Sequence, residues 1–87
     1  MDESEELVRQ MRNVVVTGAG GQLGQGFTKY LASQEALKVF ALDLAFDGVP
    51  EIAGVEYKTV DITDENAVVA FFEALESVDV VINNAGI

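Results

Sequence analysis

The chain has 87 residues, enough for one small domain, and chains of this size bury only about 60–65% of the surface that their unfolded state exposes. Fifteen acidic residues against five basic ones give a net charge of −10. The scattered Arg9, Arg12, Lys29, Lys38 and Lys58 form no basic patch, which argues against nucleic acid and an anionic membrane surface as partners. There is no Cys and no His, so disulfides, thiolate chemistry and imidazole bases or metal ligands are excluded.

Residues 1–12 are an acidic extension. They read either as a short helix, with Asp2 and Glu5 as a capping box and Leu7, Val8 and Met11 on one face, or as a solvated terminus. No apolar run has the length of a membrane span. The acidic Met1-Asp2-Glu3-Ser4-Glu5-Glu6 also lacks the basic character of a targeting signal, so a cytoplasmic location is expected.

Val14-Val15-Val16 is a continuous β-branched run, as expected of a strand covered on both faces of a parallel sheet. A glycine-rich turn follows. Leu23, Phe27, Tyr30 and Leu31 then recur at helical spacing and predict a helix that ends near Ser33-Gln34. Lys38–Leu42 is a second buried strand ending on Asp43. Phe46-Asp47-Gly48-Val49-Pro50 is turn chemistry, so the next crossover is short and at most partly helical. Val55–Val60 alternates polar and apolar residues, which suits an edge strand.

A second helix is predicted after Asp61-Ile62-Thr63-Asp64, with Thr63 as N-cap. It presents Ala67, Val68, Phe71, Phe72 and Leu75 as its apolar stripe. Val78–Ile82 reads as a fourth strand, apolar enough to be central. The predicted order β-α-β-β-α-β over residues 13–87 is that of an α/β, Rossmann-like doubly wound parallel sheet of about four strands, in spatial order 3-2-1-4.

Gly18, Gly21 and Gly24 stand three apart where the first strand gives way to the first helix. The first glycine permits a tight turn, the second lets a pyrophosphate approach the backbone, and the third lets helix and strand pack closely. Helix-terminal N–H groups and the helix dipole favour an anion there, so a chain of charge −10 can still hold a diphosphate. Asp43 closes the second strand nineteen positions beyond Gly24. That is the separation expected of the carboxylate that bonds the adenosine ribose hydroxyls. Such a carboxylate repels a 2′-phosphate, so NAD is expected in preference to NADP.

Four motifs in this order, Thr17-Gly18-x-x-Gly21-x-x-Gly24, the acidic end of strand two, Asp61 with Ile62 after strand three, and Asn83-Asn84-Ala85-Gly86 after strand four, resemble the short-chain dehydrogenase/reductase family. The glycine spacing is similar to that of its nucleotide-sugar epimerases and dehydratases. The Asn-Asn-Ala-Gly segment is more typical of its dehydrogenases, and the branch stays open. The resemblance implies that Gly18, Gly21, Gln22, Leu23 and Gly24 line the pyrophosphate site. By the same resemblance Asp43 takes the adenosine ribose, and Asp61 and Ile62 border the adenine. Asn83, Ala85 and Gly86 would lie near the central portion of the cofactor, with Asn84 tying strands together.

The catalysis of that family needs a Ser and a Tyr-x-x-x-Lys pair beyond the fourth strand. Here Tyr30 is followed four residues on by Gln34, and Tyr57 by Asp61. Tyr30 is read as helix-face packing and Tyr57 as a strand side chain, so these residues alone are not expected to form a competent dehydrogenase. The sequence therefore supports an NAD-binding module of an oxidoreductase or epimerase. Two other readings remain open, a non-catalytic NAD binder or sensor and a scaffold that binds nothing. With no further strand to cover it, the fourth strand would expose backbone and apolar side chains, inviting self-association or a partner chain.

Overall fold

The computed structural model describes residues 2–3, 12–35 and 37–84. The expected leader positions Leu7, Val8 and Met11, and the motif residues Ala85 and Gly86, lie outside the described residues. Six elements follow one another: β1 (Arg12–Thr17), α1 (Gln22–Ala32), β2 (Leu37–Asp43), β3 (Val55–Thr59), α2 (Glu65–Glu73) and β4 (Val80–Asn83). All strand pairs are parallel and the spatial order is β3-β2-β1-β4. This is the expected 3-2-1-4 arrangement, with one helix on each face.

The two central strands carry the core because alternate side chains serve opposite faces. Val16, Val39 and Ala41, joined by Ala19, form one buried cluster, against which Leu31 of α1 packs together with Phe46, Val55, Tyr57 and Ile82. Val15, Phe40 and Leu42 form the other, covered by Phe71, Phe72, Leu75, Val60 and Val78. The second face is aromatic: Phe71 meets Phe40 edge-on at 6.0 Å and Phe72 at 5.2 Å. The first face is built from small residues, so its helix lies close to the sheet.

That closeness overturns one expectation. The buried residues of α1 are Gly24 and Thr28, with Leu31 half-buried below them. Leu23, Phe27 and Tyr30 stand outside the sheet contact, and Tyr30 is 65% exposed. Of the periodic residues only Leu31 packs on the core, because Gly24 and Thr28, which have little hydrophobicity to contribute, take the docking face. They are nevertheless the residues small enough to let the helix approach. Thr28 satisfies its hydroxyl within the helix, donating to the Gly24 carbonyl at 2.8 Å.

The connection 44–54 contains no helix and turns at Phe46–Val49, where Val49 N–H donates to Phe46 O at 3.0 Å. Tyr57 anchors it: its hydroxyl oxygen accepts from Ile52 N–H at 2.9 Å, and its ring meets Phe46 edge-on. Without a helix here, the flank of α1 borders a cleft of about 450 Å³, walled by Val49, Pro50, Ile52 and Tyr57 opposite Ala19 and Thr28.

The start of α2 also departs from expectation. The N-cap is Asp64, whose side chain accepts from Ala67 N–H at 3.2 Å. Thr63 is drawn away by Asp61, which receives both its N–H and its hydroxyl. β4 begins at Val80 rather than Val78. Residues 77–79 are held instead by Asn13, which donates its backbone N–H to the Asp79 carboxylate and its side-chain amide to Ser77 O. β4 is an outer strand among the described residues, and Val80 and Val81 are each 47% exposed.

Candidate dinucleotide site

In a parallel sheet every strand ends on the same side, so Thr17, Asp43, Thr59 and Asn83 share one edge. Those of the expected site residues that are described gather there. The segment from Gly18 to Gly21 makes the turn from β1 into α1, and Gly18 takes φ +66°, a conformation costly for any residue with a Cβ. Its carbonyl then accepts from Gly21 N–H at 3.3 Å and from the Asn84 side-chain amide at 3.2 Å. A Cβ at Gly24 would collide with that carbonyl oxygen and approach Ala19 Cα to 2.8 Å. Gly18 and Gly24 are therefore required by the chain itself.

Gly21 is not. Its φ of −78° suits any residue, and a Cβ there would meet only the Gly18 oxygen at an ordinary 3.6 Å. It is also the N-cap of α1, a place where Ser, Asp or Asn would bond the helix's free amides. With glycine there is no side-chain cap, and no acidic residue occupies the first turn. The first intrahelical bond runs from Gln25 N–H to Gly21 O at 2.9 Å. The preceding amides of Gln22, Leu23 and Gly24 have no intrahelical acceptor, as at every helix start. Gln22 and Leu23 are exposed. An uncapped helix end carrying partial positive charge is suited to an anion.

Asp43 lies against this loop. Its Oδ2 accepts from Gly20 N–H at 2.7 Å and its Oδ1 from Leu44 N–H at 2.6 Å. Each carboxylate oxygen retains further acceptor capacity, so a vicinal diol can still be bound. Asn83 stands opposite Thr17, whose hydroxyl donates to Asn83 Oδ1 at 3.0 Å. Asn84 is the amide that reaches the glycine loop, as expected of a strand tie, while its own Oδ1 is buried with no partner among the described residues.

Asp61 and Ile62 follow β3 at the same edge, both exposed. The Asp61 carboxyl is held below the range of an ordinary Asp, first by the Thr63 hydroxyl and then by the Thr63 N–H. Two further residues went unnoticed in the sequence. Gly20 touches Asp43, and Gln25 donates its side-chain amide to Gly20 O at 3.0 Å. The doublet Gly20-Gly21 was the available signal, since only one of the pair is needed for the glycine spacing. Neither tyrosine is near a lysine at four-residue spacing. Among the described residues, no cluster of acidic side chains could hold a metal.

Residues 14–87 match the NAD dependent epimerase/dehydratase family. The chain is 37% identical to the D-xylose 1-dehydrogenase of Caulobacter vibrioides, over 86% of this chain and 33% of that protein. It thus spans about a third of the length of the curated relatives it matches. The aldohexose dehydrogenase of Thermoplasma acidophilum, solved ligand-free, superposes with a TM-score of 0.71 at 29% identity, covering 90% of this chain and 31% of that one. The L-threonine dehydrogenase of Clostridium difficile gives 0.69 at 27% identity, over 86% and 24%. A short chain dehydrogenase family protein from Francisella tularensis shares the fold, with a TM-score of 0.71 at 22% identity over 88% and 32%.

The lowered Asp61 carboxyl fixes the sign of one pH effect. A folded-state pKa below the unfolded value contributes stability that is present above the unfolded pKa and lost as pH falls through the folded one. An NMR titration of the Asp61 side chain is expected to show a midpoint below that of an ordinary Asp. Thr63→Ala should raise that midpoint part of the way back. A native midpoint at or above the ordinary value contradicts the assignment.

Proposed function

The chain belongs to the NAD dependent epimerase/dehydratase family, and from that premise we propose that it binds NAD, in preference to NADP, along the carboxyl edge of its sheet. Gln22, Leu23 and Gly24 offer their amides to the diphosphate, with Gly18 and Gly21 leaving it room. Asp43 accepts from the two adenosine ribose hydroxyls, and its charge disfavours a 2′-phosphate. Asp61 and Ile62 border the adenine, while Asn83, Ala85 and Gly86 flank the central part of the cofactor. The observation that carries this reading is Gly21: nothing in the chain requires a glycine there, and its presence leaves a helix end uncapped.

A bound nicotinamide would supply hydride chemistry. The described residues hold no Tyr-x-x-x-Lys pair, so the reading is that of the dinucleotide-binding portion of an oxidoreductase or epimerase. A non-catalytic NAD binder fits the same geometry. A scaffold that binds nothing does not account for Gly21. No helix among the described residues is long and apolar enough to cross a membrane, and the cytoplasm suits a dinucleotide-dependent protein.

The outer strand completes the proposal. Among the described residues β4 has no strand on its outer side, where Val80 and Val81 are exposed, and it pairs there with further strands, from another copy or from a partner chain. Light scattering on the 87-residue chain should show mass rising with concentration. A monomer at every dilution removes self-pairing.

Gly21→Asp tests the cofactor site because it separates folding from binding. The new side chain caps α1 and complements its dipole, so the melting temperature should hold or rise. It also captures the amides and repels the diphosphate, so NAD affinity should fall by about tenfold or more, a change of roughly 1.4 kcal/mol. Asp43→Ala should weaken NAD and narrow its margin over NADP. Unchanged NAD affinity in a folded Gly21→Asp chain overturns the proposal.

A further inference from the structure

The acidic residue at the end of β2 is only as selective as its orientation is fixed, and the structure shows what fixes it. The Asp43 carboxylate is pinned at both oxygens by backbone amides, Oδ2 by Gly20 and Oδ1 by Leu44. The Gly20 contact spans 23 residues of chain, so it joins the glycine loop to the end of the neighbouring strand. Leu44 is Asp43's own neighbour and would follow it anywhere. The longer-range contact is the one that places the carboxylate against the loop.

That contact leaves no room for a side chain. A Cβ on Gly20 would lie 2.8 Å from Asp43 Oδ2, 3.3 Å from its Cγ and 2.5 Å from the backbone oxygen of Ala45. A side-chain end can swing aside, but the Ala45 carbonyl belongs to the main chain and the carboxylate is already tethered to Leu44. Gly20 is itself held from behind, where Gln25 donates to its carbonyl at 3.0 Å. Its backbone is thus bonded at both groups, to Gln25 through O and to Asp43 through N–H.

We infer that Gly20 is a specificity-determining position: by bonding Asp43 and carrying no side chain, it holds the carboxylate where it receives a ribose diol and rejects a 2′-phosphate. The inference rests on the proposed NAD site and adds to it the residue that makes the discrimination sharp. Charge-assisted bonds from backbone amides orient a carboxylate without neutralising it. Two of its roughly four acceptor sites are used, leaving one on each oxygen for the 2′- and 3′-hydroxyls. A carboxylate free to rotate would bind the diol less often in the productive geometry and could turn away from a 2′-phosphate. Gly20 is therefore a positioning residue acting through Asp43, and Gln25 supports it from the helix.

The test is a comparison of NAD and NADP dissociation constants by calorimetry for the native chain, Gly20→Ala, Asp43→Ala and the double variant. Gly20→Ala keeps the N–H but its methyl group displaces the carboxylate from that charged hydrogen bond, so NAD should weaken by about tenfold. NADP affinity should stay within about twofold, so the ratio narrows. In the Asp43→Ala background the same substitution should leave the ratio unchanged, because its route of action is gone. Equal losses for both cofactors would make Gly20 part of the phosphate loop only, and overturn the inference while leaving the NAD site standing. A native chain that binds neither cofactor overturns both. Should Gly20→Ala not fold, Gln25→Ala carries the test: it should narrow the ratio in the same direction by a smaller factor, and an unchanged ratio in the folded variant overturns the inference.

Discussion

The contact on which the rest depends is the approach of Gly24 to the carbonyl of Gly18. No side chain fits between them, so the first turn of α1 lies directly on the end of β1. This sets which face of the helix meets the sheet, Gly24, then Thr28, then Leu31, and it turns Leu23 and Phe27 outward. The same carbonyl receives Gly21 from the loop and Asn84 from beyond β4. One oxygen thus gathers the loop, the helix start and the neighbouring strand end. The geometry of the uncapped helix start follows from packing within the chain itself.

The loop divides its amides between two tasks. Gly20 gives its N–H to Asp43 and Gly21 gives its own to Gly18. The first helical amides are left over, at the positive end of the helix. In a chain of net charge −10 these few fixed dipoles are a local positive end, with a carboxylate close by. That carboxylate takes its bonds from Gly20 and Leu44 rather than from the helix-start amides. The arrangement sets amide donors beside a carboxylate acceptor, which is the geometry on which the proposed dinucleotide site rests.

Much of this was legible in the residues. The β-branched run of β1 and the apolar run of β2 marked the central strands, and the alternation in Val55–Val60 marked β3 as outer. The glycine spacing marked the junction, because strands, turns and close packing each constrain residue type locally. The errors arose where type and role part company. Leu23, Phe27 and Tyr30 are hydrophobic but face away from the sheet, since small Gly24 and Thr28 decide the docking face. Thr63 and Asp64 are both good N-caps; Asp64 accepts from Ala67 N–H, while Thr63 is turned toward Asp61 by two hydrogen bonds. Gly20 drew no reading of its own, for its partner Asp43 lies 23 positions away. The fold's local grammar can be read along the chain; contacts between distant segments cannot.

The most direct measurement is an amide NMR titration of the isotope-labelled chain with NAD. If the uncapped start of α1 holds the diphosphate, the largest and saturable shifts fall on Gln22, Leu23 and Gly24, with smaller ones at Gly20 and Leu44 beside the ribose. Shifts centred instead on the cleft beneath Val49, Pro50 and Tyr57, or none at all with NAD in the millimolar range, would contradict the account.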